Sequence, residues 1–156
     1  MAFRAWVAAQ RHMGFEMDPR ELTADEAQIL QQVTNWWKTN RDWMMQADIL
    51  RLDSDDPNVI AEQQMSQSGD RFVVFAGRAG ASDQILPRPL RLTGLDPAAS
   101  YRLGLANAEQ AHHLSRGHPA IKSGDVTLSG TFLMTHGLSL PWAFPDSMWV
   151  IEGHRI

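Results

Sequence analysis

The spacing of apolar residues changes after Ala47, and this change constrains the fold more than any other feature of the sequence. Before that point, apolar residues such as Ile29 and Val33 recur at the period of an α-helix. After it, short apolar runs alternate with turn-forming Gly, Pro, Asn and Asp residues. We therefore predict a helical segment over residues 1–47 and a strand-rich domain over residues 48–156.

Two helices are predicted in the first segment. The first covers residues 2–13 and is followed by Gly14, a residue that readily adopts the left-handed conformation found after helix ends. The second has a clear start, because Thr23 and Glu26 form a T-x-x-E capping box that satisfies free amide donors in both directions. Its apolar periodicity predicts a helix over residues 24–46.

Short strands are predicted throughout the second segment. A hairpin turn is expected at Ser68-Gly69-Asp70, and the long polar stretch 106–124 is interpreted as an inserted loop. Short strands separated by turn signals at this spacing are typical of a sandwich. We predict a mainly β fold with two N-terminal helices and an antiparallel β-sandwich of about seven to eight strands. The predicted runs are 49–52, 59–66, 71–77, 90–93, 101–105, 126–128 and 148–152.

Composition excludes several classes of function. The chain is 44% hydrophobic and 21% charged, as folded soluble proteins are. Its formal net charge is −4 and its pI is about 5.8, so nothing indicates a nucleic-acid partner. The absence of cysteine excludes disulfides and thiol chemistry. No apolar run reaches the roughly 20 residues needed to cross a bilayer. We expect a cytoplasmic protein with no membrane partner.

An acidic run over residues 53–58 is the first candidate for a metal site, because Ca²⁺ prefers clustered oxygen ligands. An EF-hand loop requires glycine at its sixth position and glutamate at its twelfth, and those places hold Asn58 and Gln64. A solvated turn before a strand is the favoured interpretation.

Histidines are the second candidate. His112, His113 and His118 lie in the predicted loop and His136 follows later, but no cysteine or HExxH motif accompanies them. Loop histidines without a ligand role are favoured. Neither a phosphate-binding loop nor a G-x-S-x-G nucleophile motif occurs, and Gly77-Arg78-Ala79-Gly80 lacks the dinucleotide-binding order. We therefore predict no metal and no cofactor.

Tryptophans are unusually frequent between Trp36 and Trp43. Trp36, Trp37 and Trp43 could form a flat platform for a sugar ring, yet Trp36 continues the apolar stripe of the second helix. Packing in a core or between domains is the favoured interpretation. Trp142 and Trp149 are interpreted in the same way.

Five segments resemble, in order, the C-terminal part of glycoside hydrolase family 36, the bacterial α-galactosidases. Residues 12–22 (HMGFEMDPREL) resemble the chain leaving the catalytic barrel, and residues 37–42 (WKTNRD) resemble its Tyr-Lys-x-x-Arg helix. Residues 48–52 (DILRL) are similar to the following strand entry. Residues 94–103 (GLDPAASYRL) and 129–138 (SGTFLMTHGL) resemble its Gly-Leu-Asp-Pro…Tyr-Arg and Ser-Gly-x-x-Leu-Met-x-x-Gly-Leu elements.

Three departures from the family pattern leave open a related glycosidase with an altered substrate preference. Trp37 stands where the family has tyrosine, and Ala47 stands where it has glycine. The stretch 106–124 is longer than the usual connection.

The resemblance implies a place in a larger enzyme. The family has an N-terminal β-supersandwich, a (β/α)₈ barrel and a C-terminal antiparallel β domain, and it retains anomeric configuration with two aspartates located upstream of anything matched. Residues 1–47 would then be the end of the barrel and residues 48–156 the C-terminal domain. No catalytic, cofactor-binding or metal-binding residue is carried over to this chain.

The residues independently argue against catalysis by this chain alone. Retaining glycosidases hold two carboxyls about 5–5.5 Å apart beside a sugar. The carboxylates here lie mostly in caps and turns, and no barrel strands are present to hold such a pair. We therefore predict that the chain alone is inactive. Examples are Asp25, Glu26, Asp70, Asp96 and Asp146.

The expected partner is the catalytic barrel, in the same protein or as a separate chain, and α-galactosides would bind only the full enzyme. A homo-oligomer through the Trp-rich helical face is also expected, because soluble monomers avoid large exposed apolar patches. Two alternatives stay open: a freestanding carbohydrate-binding β-sandwich and a protein-interaction module unrelated to sugars.

Overall fold

The computed structural model describes residues 1–82, 84–85, 88–110, 119–141 and 144–156. The chain divides into two units, Met1–Gln46 and Ala47–Ile156. The first unit is helical and the second contains the strands, so each is described separately below.

The first unit consists of helix α1 (Ala2–Ala9), a 3₁₀ turn (Pro19–Glu21) and helix α2 (Ala24–Met44). The predicted capping box at the start of α2 is confirmed. The Glu26 amide donates to Thr23 Oγ1 at 3.3 Å, and the Thr23 amide donates to Glu26 Oε2 at 3.1 Å. Helix α1 ends earlier than predicted, and the Arg11 carbonyl beyond it accepts the Trp37 indole N–H at 2.7 Å.

Aromatic packing joins the two helices of this unit. Trp6 of α1 meets Trp36 of α2 edge to face, with ring centroids 5.1 Å apart and an interplanar angle of 71°. Ala5 and Ala9, on either side of Trp6, are buried. Small residues around a buried tryptophan let the two helices approach closely enough for the rings to touch.

The second unit is built on one antiparallel sheet with strand order β1-β2-β3-β6-β4-β5. This arrangement confirms the predicted mainly β class, and six of the predicted runs are strands. A short helix, α3 (Gly130–Thr135), follows β5. The strands are β1 (Asp48–Leu52), β2 (Val59–Met65), β3 (Arg71–Arg78), β4 (Ser100–Leu105), β5 (Val126–Ser129) and β6 (Ser147–Arg155).

The predicted hairpin between β2 and β3 is present. Gly69 has φ +68°, a conformation that costs glycine little, and the Gly69 amide donates to the Ser66 carbonyl at 2.9 Å. The register then pairs Met65 with Phe72 and Val59 with Arg78. The turn residues therefore set which side chains of both strands face the core.

The predicted strand over residues 90–93 is not formed. Only a single bridge joins Leu90 to Leu138 there. The Leu92 amide donates to the carbonyl of Leu133 in α3 at 3.0 Å rather than to a neighbouring strand. The segment is extended because it binds α3 and the chain after it.

The core of the second unit lies on one face of the sheet. Phe72 and Val74 of β3, Tyr101 and Leu103 of β4, and Ile151 of β6 point into it and are fully buried. The segment 90–95 and helix α3 add further buried side chains to the same core: Leu90, Leu92, Leu95, Leu133 and Leu138. Irregular chain and a short helix thus cover this face, and the second sheet of a sandwich stays a prediction.

Candidate functional site

The two C-terminal motif segments, 94–103 and 129–138, meet at Gly130. The Gly130 amide donates to the Ala99 carbonyl at 2.9 Å, and the Thr131 hydroxyl donates to the Pro97 carbonyl at 2.9 Å. A methyl group at Gly130 would overlap the carbonyl oxygen of Asp96. Only glycine permits this contact, so the motif fixes the approach of two backbones.

The turn at Asp96 is held from three directions. Its backbone amide donates to the hydroxyl of buried Tyr101 at 3.0 Å. Its carboxylate accepts the Ala98 amide at 2.9 Å and pairs with Arg155 of β6 at 2.9 Å. The Gly-Leu-Asp-Pro…Tyr-Arg residues therefore join β4, its preceding turn and β6.

The end of the segment 129–138 also contains a close contact between two backbones. Gly137 has φ +86°, and a Cβ there would lie 2.6 Å from the Leu90 carbonyl oxygen. Leu138 next to it is buried and exchanges two backbone hydrogen bonds with Leu90, at 2.9 and 2.8 Å. Both C-terminal motifs are thus explained by backbone geometry and packing.

A buried ion pair is the main electrostatic feature of the second unit. Arg78 Nη1 lies 3.0 Å from Asp56 Oδ2, and the two side chains are only 6% and 7% exposed. Burial would raise the pKa of Asp56, but hydrogen bonds from the Ser82 hydroxyl, the Asn58 amide and Arg78 outweigh it and lower that pKa. The interpretation of residues 53–58 as a solvated turn was therefore wrong for Asp56, which turns inward.

A small cavity lies beside this ion pair. Its walls include Gln84, Leu140 and Trp149, and its volume is about 30 Å³. A space of that size holds one or two water molecules, whereas small-molecule sites begin near about 300 Å³. The cavity is too small for a sugar ring.

No carboxyl group of the described residues has a clearly raised pKa. A general acid needs a pKa raised towards neutrality, yet the four described carboxyls with a clear perturbation are all shifted downwards. Besides Asp56, hydrogen bonds lower the pKa of Asp18 (from the Arg20 side chain), Glu26 (from the Thr23 amide) and Asp70 (from the Ser68 hydroxyl). These groups are ionised at neutral pH and serve as caps and ion-pair partners.

The histidine candidates do not come together in the part of the chain that the structure describes. His136 stacks on Phe132 with ring centroids 5.0 Å apart, and its Nδ1 lies 2.9 Å from the Thr135 hydroxyl. The positions of His112, His113 and His118 fall outside the described residues. Among the described residues, no three acidic, histidine or cysteine side chains are grouped to hold a metal ion.

The tryptophans have packing partners within their own units. Arg41 lies over the Trp37 ring, 5.4 Å from its centroid. The Trp43 indole donates to Asn40 Oδ1 at 2.9 Å. In the second unit, the Trp149 indole donates to the Pro141 carbonyl at 2.9 Å, and Trp142 falls outside the described residues. The packing interpretation is supported for the described tryptophans.

Two buried amides were missed by the sequence analysis. Gln63 donates to the Thr93 carbonyl at 2.7 Å and accepts the Thr93 amide at 3.3 Å. Asn107 donates to the Met148 carbonyl at 2.7 Å and accepts the Val150 amide at 3.0 Å. Each side chain supplies the pair of hydrogen bonds that a neighbouring strand would give. No local pattern in the sequence predicts such distant pairings.

No helix in the described ranges combines the length and apolar composition needed to span a bilayer.

Comparisons with known proteins agree on one family. The model of the glycosyl hydrolase family 36 C-terminal domain matches residues 59–151. An alpha-galactosidase of Escherichia coli is 26% identical over 161 aligned residues, which cover 99% of this chain and 23% of that protein.

Solved structures give the same result. The family 36 alpha-galactosidase AgaB from Geobacillus stearothermophilus is 25% identical with a TM-score of 0.75, covering 98% of this chain and 19% of its own. The alpha-galactosidase from Lactobacillus brevis is 19% identical with a TM-score of 0.74, covering 98% of this chain and 20% of its own. The chain therefore spans less than a quarter of the length of each of these relatives.

Proposed function

Because this chain belongs to the glycosyl hydrolase family 36 C-terminal domain family, we propose that it is the non-catalytic C-terminal segment of an α-galactosidase-type glycosidase. In this role it stabilises the catalytic barrel, carried by the same protein or by a separate chain. Residues 1–47 form the end of the barrel and residues 48–156 the C-terminal domain. α-Galactosides bind only the full enzyme.

One observation carries this proposal. Nearly the whole chain is matched by the relatives, yet it accounts for only 23% of the Escherichia coli protein and 19% of the Geobacillus protein. A segment that is a constant minor part of larger glycosidases is expected to act together with the remainder.

The electrostatics support the non-catalytic part of the proposal. The buried carboxylate, Asp56, is neutralised by Arg78 and has a lowered pKa, which is the opposite of what a general acid requires. The motif residues that resemble the family hold backbone segments together, as Gly130 and Tyr101 do. These contacts stabilise a fold and perform no chemistry.

An activity assay of the purified chain tests the proposal. Incubation with a chromogenic aryl α-galactoside is expected to release no more chromophore than buffer alone. The Asp56→Asn and Asp96→Asn variants are the matched controls. Activity from a contaminating enzyme would be the same in the parent chain and in both variants. Turnover by the parent chain that disappears in one of these variants would refute the non-catalytic role.

A further inference from the structure

A polar groove opens on the second unit beside the end of β1. Its volume is about 280 Å³, roughly nine times that of the cavity at the ion pair. One wall is the end of β1 and the residues after it, and the other is the segment 89–93. The lining residues are Arg51, Leu52, Asp53, Asp55, Pro89, Arg91, Leu92 and Thr93.

Both walls of the groove are fixed by hydrogen bonds. The register of β1 with β2 holds Arg51 opposite Glu62 and Leu52 opposite Ala61. The segment 89–93 is held at Leu92 by the Leu133 carbonyl and at Thr93 by the side chain of Gln63. A groove with fixed walls loses little conformational entropy when a ligand enters it.

The exposed lining of the groove is mainly polar. Leu52 and Leu92 also line it, but they are only 5% and 3% exposed and belong to the core, so they offer a ligand little apolar surface. Arg91 and Asp53 are exposed at the rim and make no hydrogen bond or ion pair with another described residue. Asp55 is engaged by Arg88 at 3.4 Å. The rim therefore offers a guanidinium and a carboxylate, both of which bind paired hydroxyls through two parallel hydrogen bonds.

Charge balance narrows the class of ligand. The lining contains two arginines and two aspartates, so its formal charge is zero. A site for phosphate or a polyanion needs a net positive lining, and a cation site needs a net negative one. A neutral molecule with many hydroxyls fits this rim, because its hydroxyls can bind both the guanidinium and the carboxylate.

We propose that this groove binds one neutral pyranose unit of a saccharide. The hydroxyls of the ring meet the exposed side chains of Asp53 and Arg91. The choice of a sugar rests on the proposed place of the chain in a glycosidase. The location of the site rests on the groove alone.

Nuclear magnetic resonance of the full 156-residue chain tests the site. Titration with raffinose, a neutral galactose-containing trisaccharide, is expected to shift the amides of residues 51–55 and 90–93 with a Kd of about 1 mM. The Arg91→Ala and Asp53→Ala variants are each expected to bind about 10-fold more weakly. Arg102→Ala, which alters an exposed arginine on β4, is the control and keeps the affinity of the parent chain.

Two results would overturn the site. One is the absence of any shift in the groove amides at saturating raffinose. The other is a tighter response of the same amides to inorganic phosphate, which would make the groove an anion site. Neither result bears on the aryl galactoside assay, so failure of the groove and failure of the non-catalytic role are distinguishable.

Discussion

At the scale of single residues, the second unit depends on positions where two backbones touch. Gly130 faces the Asp96 carbonyl, and Gly137 faces the Leu90 carbonyl with a positive φ. A side chain at either position would overlap backbone atoms, and these atoms cannot move aside because other hydrogen bonds hold them. Both glycines lie in the segment 129–138, one of the five that resemble the family.

Gly130→Ala is expected to destabilise the chain by about 3 kcal/mol or more, since the new methyl group pushes two backbone segments apart. Gly14→Ala is the matched control: no atom lies within 4 Å of a Cβ built there, and its effect should stay within about 0.5 kcal/mol. Urea unfolding followed by circular dichroism measures both. Equal stability of the two variants would contradict the contact at Asp96.

Arg78→Met removes the partner of Asp56 and leaves a buried carboxylate unpaired. The expected loss is about 3–5 kcal/mol in the free energy of unfolding, which is typical when one member of a buried pair is deleted. Arg102→Met, at an exposed arginine whose Asp125 partner is 3.8 Å away, should cost less than about 1 kcal/mol. The same urea experiment compares them, and similar losses would show that Arg78 carries no special role.

Acid should lower the free energy of unfolding through the Asp56–Arg78 ion pair. Because the pKa of Asp56 is lowered in the folded chain, its stabilisation is complete above the ordinary aspartate pKa of about 3.9. This stabilisation is lost as the pH falls through the lowered pKa that Asp56 has in the folded chain, because below that pH the native state also binds the proton. The free energy of unfolding of the parent chain should therefore drop below about pH 4.

Asp56→Asn cannot ionise, and its stability should depend less steeply on pH over that range. Thermal unfolding between pH 7 and pH 2 measures the slope. Asp18, Glu26 and Asp70 also have lowered pKa values and leave a residual slope in the variant. An unchanged slope would exclude Asp56 as a source of acid sensitivity.

At the scale of elements, the sequence predicted features set by neighbouring residues better than features set by residues far apart in the chain. The start of α2 was predicted because Thr23 and Glu26 lie within one turn of each other. The β2–β3 hairpin was predicted because Gly69 supplies a positive φ between two apolar runs. Helix α3 was missed, because a helix of 6 residues is too short to show periodicity.

The candidate site was harder to predict than the elements. The groove depends on residues 89–93 lying beside β1, and Gln63 and Leu133 hold them there from elsewhere in the chain. The inward turn of Asp56 depends on Arg78, which is distant in sequence. Periodicity and turn residues report on neighbours along the chain, so neither relation was visible in them.

Asn107 extends the junction of β4 and β6 beyond the last paired residues, Leu105 and Ile151. Asn107→Ala should destabilise the chain by about 1–3 kcal/mol, because it removes the two buried hydrogen bonds that the Asn107 side chain makes with the Met148 carbonyl and the Val150 amide. Asn35→Ala, at an exposed position of α2, is the control and should be nearly neutral. Faster amide exchange at Val150 in the Asn107 variant alone would locate the loss.

At the scale of the whole molecule, self-association stays a prediction. The exposed apolar residues of the first unit provide positions at which to test it. Val7 and Phe15 of the first unit are 44% and 38% exposed. We expect light scattering to give an apparent mass above 17.5 kDa that rises with protein concentration. Val7→Lys should shift the equilibrium towards monomer, since it places a charge in the apolar contact.

Ile60→Lys supplies the control for that experiment, because Ile60 lies in the second unit and is 70% exposed. It should leave the apparent mass of the parent chain unchanged. A clean monomer at high concentration would contradict self-association, and an equal effect of both lysine variants would contradict the assignment to the helical unit.

The position of β6 has a consequence for how the chain is made. This strand comes last in the sequence, yet it lies between β3 and β4. Among the described residues it is the only strand that pairs with both the β1–β3 ladder and the β4–β5 pair. A ribosome releases residues in order, so the two halves must wait for residues 147–155 before they can join. A premature stop that removes those residues would therefore remove a central strand and not an edge strand. It would leave two separate half-sheets whose apolar faces are exposed to chaperones and proteases.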